Sequence, residues 1–120
     1  MIRIVTAALL AAGTTMTLAA APAAANPTPH VIMGTSHRDV LVGTKQSDLI
    51  LGLPGRDRLF GGRKNDILLA GLGNDVLRDA GEHSGRDVLR GGGGRDRCVG
   101  NSDDVFIQCE IVIRRGISRG

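Results

Sequence analysis

The sequence predicts an all-β protein, a solenoid of very short parallel strands stacked from nine-residue units. Three observations carry that prediction. Asp39, Asp48, Asp57, Asp66 and Asp75 stand nine residues apart, and Asp87 and Asp96 resume the step after a three-residue slip. Two positions after each Asp comes an apolar-type residue: Leu41, Ile50, Leu59, Leu68, Leu77, Leu89 and Cys98. The 120-residue chain also holds 18 glycines, two phenylalanines and no Trp or Tyr, too few rings for a conventional globular core. A large enzyme with a deep pocket is excluded on these grounds.

Residues 1–25 read as a secretory signal peptide. Met1-Ile2-Arg3 gives a positive start, Ile4 to Leu18 is an apolar run, and Ala23-Ala24-Ala25 matches a small-x-small cleavage site. Gly13, Thr14 and Thr15 weaken the run as a membrane anchor, and no later stretch reaches the roughly 20 apolar residues of a membrane helix. Cleavage after Ala25 and secretion to the extracellular side are the expectation. The leader holds a single Arg, so the mature chain has 14 Lys+Arg against 12 Asp+Glu, a mild +2. In an oxidising compartment Cys98 and Cys109, the two cysteines of the chain, are expected to form a disulfide.

Residues 26–33 form a lead-in and capping strand: Asn26-Pro27-Thr28-Pro29 is extended, and Val31-Ile32-Met33 stands where a strand triplet belongs, with His30 in the place of Asp. Residues 34–99 are the repeats, with units starting at Gly34, Gly43, Gly52, Gly61, Ala70, Glu82 and Gly91. The first six residues of a unit suit a turn that needs positive φ. The last three, such as Val40-Leu41-Val42 or Ile67-Leu68-Leu69, make a strand whose middle residue faces inward. Such a unit cannot bury its apolar residue alone, so two units make one coil and the coils stack. About four coils at about 4.8 Å each give a slab about 19 Å tall.

The slip at Asp79-Ala80-Gly81 lengthens one turn and leaves the stack continuous. After Val99 the register is lost, with Asp103 and Asp104 missing the ninth position. Residues 100–120 are the expected C-terminal cap and a frayed tail. Val105-Phe106-Ile107 and Glu110-Ile111-Val112-Ile113 serve as closing strands, pinned over the open end of the stack by a Cys98–Cys109 bridge.

The units resemble the nonapeptide G-G-x-G-x-D-x-U-x of the repeats-in-toxin (RTX, hemolysin-type) calcium-binding family. Gly91-Gly92-Gly93-Gly94-Arg95-Asp96-Arg97-Cys98-Val99 fits the glycine and Asp positions fully; Gly61 to Leu69 lacks only the third glycine and Ala70 to Arg78 only the first. The resemblance covers residues 34–99 and implies a parallel β-roll. Its turns would hold Ca2+ between Asp carboxylates and backbone carbonyls stacked on one edge. Calcium takes about six to eight hard oxygen ligands, and glycine turns leave carbonyls unobstructed.

Same-edge turns lie two units apart. One edge therefore collects Asp39, Asp57, Asp75 and Asp96, and the other collects Asp48, Asp66 and Asp87. These seven are the implied metal ligands, Asp57 with Asp75 ranking first, Asp48 with Asp66 next and Asp39 last. Several residues depart from the family pattern. His37, Gln46 and Lys64 replace glycine, as do Glu82 and His83. Arg38, Arg56, Arg86 and Arg95 each precede a repeat Asp, where a guanidinium opposes a metal and could pair with the carboxylate instead.

No catalytic constellation is present. His30, His37 and His83 bear no repeated relation to Ser or Cys, and Gly91 to Gly94 lacks the Lys-Ser/Thr of a phosphate loop. Outward strand positions put Leu49, Leu51, Ile67 and Leu69 on one sheet, an apolar patch to be covered by a terminal segment, by self-association or by a partner. The other sheet mixes Val40, Val42 and Phe60 with Arg58, Arg78 and Arg97. The function these readings favour is a secreted, non-enzymatic calcium-binding module with a structural or adhesive role. The alternative is a metal-independent basic solenoid whose arginines bind an extracellular polyanion or envelope polymer, with nucleic acid disfavoured by the weak net charge.

Overall fold

A computed structural model describes residues 28–79 and 85–116; the leader, residues 80–84 of the slip (with Glu82 and His83) and the tail beyond 116 lie outside the described residues. Every described element is a strand: β1 His30–Met33, β2 Val40–Val42, β3 Asp48–Leu51, β4 Arg58–Phe60, β5 Ile67–Leu72, β6 Val76–Arg78, β7 Val88–Gly93, β8 Arg97–Asn101, β9 Val105–Ile107 and β10 Ile111–Arg115. Odd strands form one five-stranded sheet and even strands the other. All pairings are parallel, so the chain winds as a β-solenoid in which two strands and two turns complete a coil.

Alternation within each short strand puts its central residue in the core. One sheet contributes the register column Ile32, Ile50, Leu68, Leu89 and Phe106. The facing sheet contributes Leu41, Leu59, Leu77 and Cys98, while Val112, next in that register on the last coil, is exposed. Ile50, Leu59, Leu68, Leu77, Leu89 and Cys98 are fully buried, which explains how a chain nearly free of aromatic rings closes a core. Stacking like on like fills a narrow slot with aliphatic side chains from above and below.

The slip is absorbed in a turn. Ile67 pairs with Val88 and Leu77 with Cys98, so both sheets pass it without a break. The C-terminal cap is a further coil of the same solenoid, stacked on the end of the repeats. β9 adds to β7 and β10 to β8 in parallel register. The Cys98–Cys109 disulfide ties this last coil to the core of the one before it. Arg114 lies over the Phe106 ring at 5.0 Å and donates to the Ser102 carbonyl.

On the outer face of the odd-strand sheet, Val31, Leu49, Ile67, Val88 and Val105 align in one column. Met33, Leu51, Leu69, Arg90 and Ile107 align beside it. The apolar stripe foreseen at Leu49, Leu51, Ile67 and Leu69 thus runs the height of the sheet, interrupted by Arg90.

Candidate metal centre

Turns are where the repeat aspartates work. Each places its carboxylate inside the coil, and Asp48, Asp57, Asp66, Asp75, Asp87 and Asp96 are all buried. One oxygen of each has a structural task. Oδ1 of Asp57 accepts the backbone N–H of Asp39 (2.8 Å), Oδ1 of Asp75 that of Asp57 (2.7 Å), and Oδ1 of Asp96 that of Asp75 (2.9 Å). On the opposite edge Asp66 accepts from Asp48 and Asp87 from Asp66, both at 2.8 Å. The two columns are those the nine-residue period implies.

Both columns also extend beyond the period. Asp87 donates its N–H to Asp104 Oδ1 at 3.0 Å, and Asp96 donates to Glu110 Oε2 at 2.7 Å. Asp104 is buried and belongs to the column after all, contrary to the sequence expectation, because its turn is one residue shorter than the others. Glu110 reaches the column from a still shorter connection with a longer side chain. A search for acidic residues that tolerated turn deletions would have found both.

The second oxygen separates the turns into two kinds. In the first two units Thr35 and Thr44 close on it: Asp39 Oδ2 accepts the Thr35 N–H (2.6 Å) and hydroxyl (2.9 Å), and Asp48 Oδ2 accepts the Thr44 N–H and hydroxyl. Asp104 Oδ2 takes the Asn101 N–H at 2.6 Å. By contrast, Oδ2 of Asp57, Asp66, Asp75, Asp87 and Asp96 is buried with no hydrogen-bond partner. An ionised oxygen left so is costly.

Backbone conformation explains the split. The turns with orphaned oxygens use positive φ: Leu53 and Gly55, Gly62 and Lys64, Gly71 and Gly73, Gly85, and Gly92 and Gly94. None of the residues at the corresponding places in the first two turns, Thr35, His37, Thr44 and Gln46, does so. In the Asp57, Asp66 and Asp96 turns the leading glycine keeps space around the free oxygen. A Cβ on Gly52 would stand 2.9 Å from Asp57 Oδ2, and one on Gly61 3.0 Å from Asp66 Oδ2. Main-chain oxygens face the next turn along each edge, since a methyl group on Gly71 or Gly73 would collide with the carbonyl of Leu53 or Gly55.

Electrostatics follow from this packing. Burial raises the pKa of Asp57, Asp66, Asp75, Asp87, Asp96 and Asp104. The N–H bond from the preceding coil offsets part of the rise, and neighbouring carboxylates add to it. Asp66 is pushed up to about 7 and Asp75 to about 6. The neighbouring arginines do not relieve this strain. Arg38, Arg56, Arg86 and Arg95 are exposed, and among the described residues no arginine lies within ion-pair distance of a repeat Asp. His30, 3.6 Å from Asp48 Oδ1, is the one described basic group that does.

Buried, unpartnered carboxylate oxygens beside main-chain carbonyls are a donor set for a hard divalent cation. The profile described as RTX calcium-binding nonapeptide repeat (4 copies) matches residues 33–68, 51–78 and 83–107. The chain belongs to the RTX calcium-binding nonapeptide repeat family. The RTX match ends at residue 107, so it includes the shortened turn that carries Asp104. No curated protein matches the chain significantly. The residues of this RTX roll fit calcium at the open turns: Asp57, Asp66, Asp75, Asp87 and Asp96 each offer a free oxygen. Asp39 and Asp48, also singled out by the period, have theirs engaged by threonine.

Proposed function

We propose that the protein is an exported calcium-binding module in which the metal stiffens the roll, giving it a structural or adhesive role outside the cell and no catalytic one. The observation that carries this reading is the set of five buried Oδ2 atoms without a partner. Calcium would be held by Asp57, Asp75 and Asp96 on one edge and by Asp66 and Asp87 on the other, with turn carbonyls completing the shell. It supplies positive charge where the chain has stacked negative charge, and so couples binding to folding. The signal-peptide pattern of residues 1–25 supports export, where free calcium is plentiful. The apolar stripe through Leu49, Leu51, Ile67 and Leu69 is, in the same reading, where a second copy or a partner domain meets the roll.

The arginine-based alternative rests on the exposed Arg58, Arg78 and Arg97 of the even-strand sheet. Isothermal titration separates the two. Calcium at low salt should give saturable heat at more than one equivalent, with Kd about 10⁻⁴ to 10⁻³ M if the affinity follows other extracellular modules. An anionic polymer should give none. Absence of calcium binding together with salt-sensitive polymer binding would overturn the calcium reading in favour of the alternative.

A further inference from the structure

The turn that absorbs the slip differs from its neighbours in one residue that is not a repeat aspartate. Asp79 donates its N–H to the Val99 carbonyl at 2.9 Å, as Gly52 does to Leu69 and Gly61 to Arg78. It therefore occupies the first position of the turn that ends on Asp87, a position the sequence pattern assigned to Glu82. In the other repeat turns that position is a glycine or, at Ala70, a single methyl group, and the Oδ2 of the turn's own aspartate lies against each of those glycines. Here a carboxyl group enters the space.

Asp79, Asp87 and Asp104 consequently bring one oxygen each to within 4.8 Å of one another. Asp79 and Asp87 are fully buried and Asp104 nearly so. The roles of their oxygens are unequal. Asp104 accepts two backbone N–H groups, from Asp87 and Asn101. Asp79 Oδ2 accepts the Asn101 side-chain amide at 2.6 Å. The Arg115 guanidinium reaches the main-chain carbonyl of Asp79 at 2.7 Å. Asp87 spends Oδ1 on the Asp66 N–H, and its buried Oδ2 receives no N–H or hydroxyl donor, with the Asp79 carboxyl beside it.

We infer that Asp79, Asp87 and Asp104 form a three-carboxylate site for a hard divalent cation, distinct from the open repeat turns because Asp79 replaces a glycine of the repeat. The inference deepens the calcium reading and rests on it for the kind of ion. More carboxylates on one ion means more charge at the site, the property by which oxygen sites gain calcium affinity. The site also joins the start of the slip, the turn between β8 and β9, and β10 through Asp79, Asp104 and Arg115.

Calcium titration calorimetry on the mature chain, its Asp79→Asn and Asp79→Gly variants, and an Asp57→Asn/Asp75→Asn double variant tests it. Asn keeps the size of the side chain and Gly restores the residue of the repeat, so one of them retains the fold if the other does not. The expected result is loss of the tightest calcium-binding event in each Asp79 variant, the Asp87 oxygen then binding no more tightly than an ordinary repeat turn. The double variant should lose repeat ions but keep the Asp79-dependent one. Unchanged stoichiometry and affinity in both Asp79 variants would overturn the three-carboxylate site while leaving the repeat sites standing. No calcium uptake by the unmodified chain would overturn both.

Discussion

Each repeat aspartate has two jobs, one per oxygen, and substitutions can separate them. Asp57→Asn with Asp75→Asn keeps an acceptor for the N–H groups of Asp39 and Asp57 but removes the charge. The corresponding double Ala variant removes both, leaving two buried donors unpaired at about 1–3 kcal/mol each. In chelator the Asn variant should melt no lower than the unmodified protein, and the Ala variant well below it. Both should lose calcium binding at that edge. Equal loss of stability in the two variants would show that Oδ1 does not hold the coils together. Which aspartates share a column was legible in the nine-residue step. Which oxygens are free was not, because that depends on whether a backbone N–H points at the carboxylate. Thr35 and Thr44, in second place in their units, were the visible trace of the closed turns.

At the scale of elements, strands were easier to foresee than turns. A triplet such as Ile67-Leu68-Leu69 has one way to bury its middle residue, whereas a turn can lose or gain residues without disturbing the sheet. That tolerance hid Asp104 and Glu110, whose turns are short, and Asp79, whose turn is long. The last coil depends most on its staple. β9 and β10 are joined to the coil before them by Cys98–Cys109, which closes a loop with a sequence separation of 11 residues. Reduction should cost about 3 kcal/mol on the chain-entropy view. Hydrogen exchange should then accelerate first in β9 and β10, and the Asp96–Glu110 contact should open with them. Uniform acceleration through β3 to β6 would mean that the bridge braces the whole roll and not its final coil.

For the whole molecule, stacking aspartates every second unit builds two lines of buried negative charge. Ionisation is what calcium needs and what the metal-free roll resists. The folded-state pKa of Asp66, about 7, and of Asp75, about 6, lie above the ordinary value of 3.8. A raised folded pKa means that the folded state holds its proton more tightly than the unfolded chain. The resulting stability is fully present below pH 3.8 and is lost as pH rises through about 6 to 7. Calcium acts in the opposite sense, since its ligands must be deprotonated, and its contribution grows across the same window.

The thermal midpoint at pH 8 in 10 mM calcium against chelator is therefore the most direct measurement, with the same pair at pH 5 for contrast. A site with Kd about 10⁻⁴ M would be stabilised by about 2.7 kcal/mol at that calcium level, roughly 10 °C or more for a domain this small. The predicted result is a large upward shift at pH 8 and a much smaller one at pH 5. Identical midpoints with calcium and with chelator at pH 8 would contradict the claim that the free carboxylate oxygens are there to hold the metal.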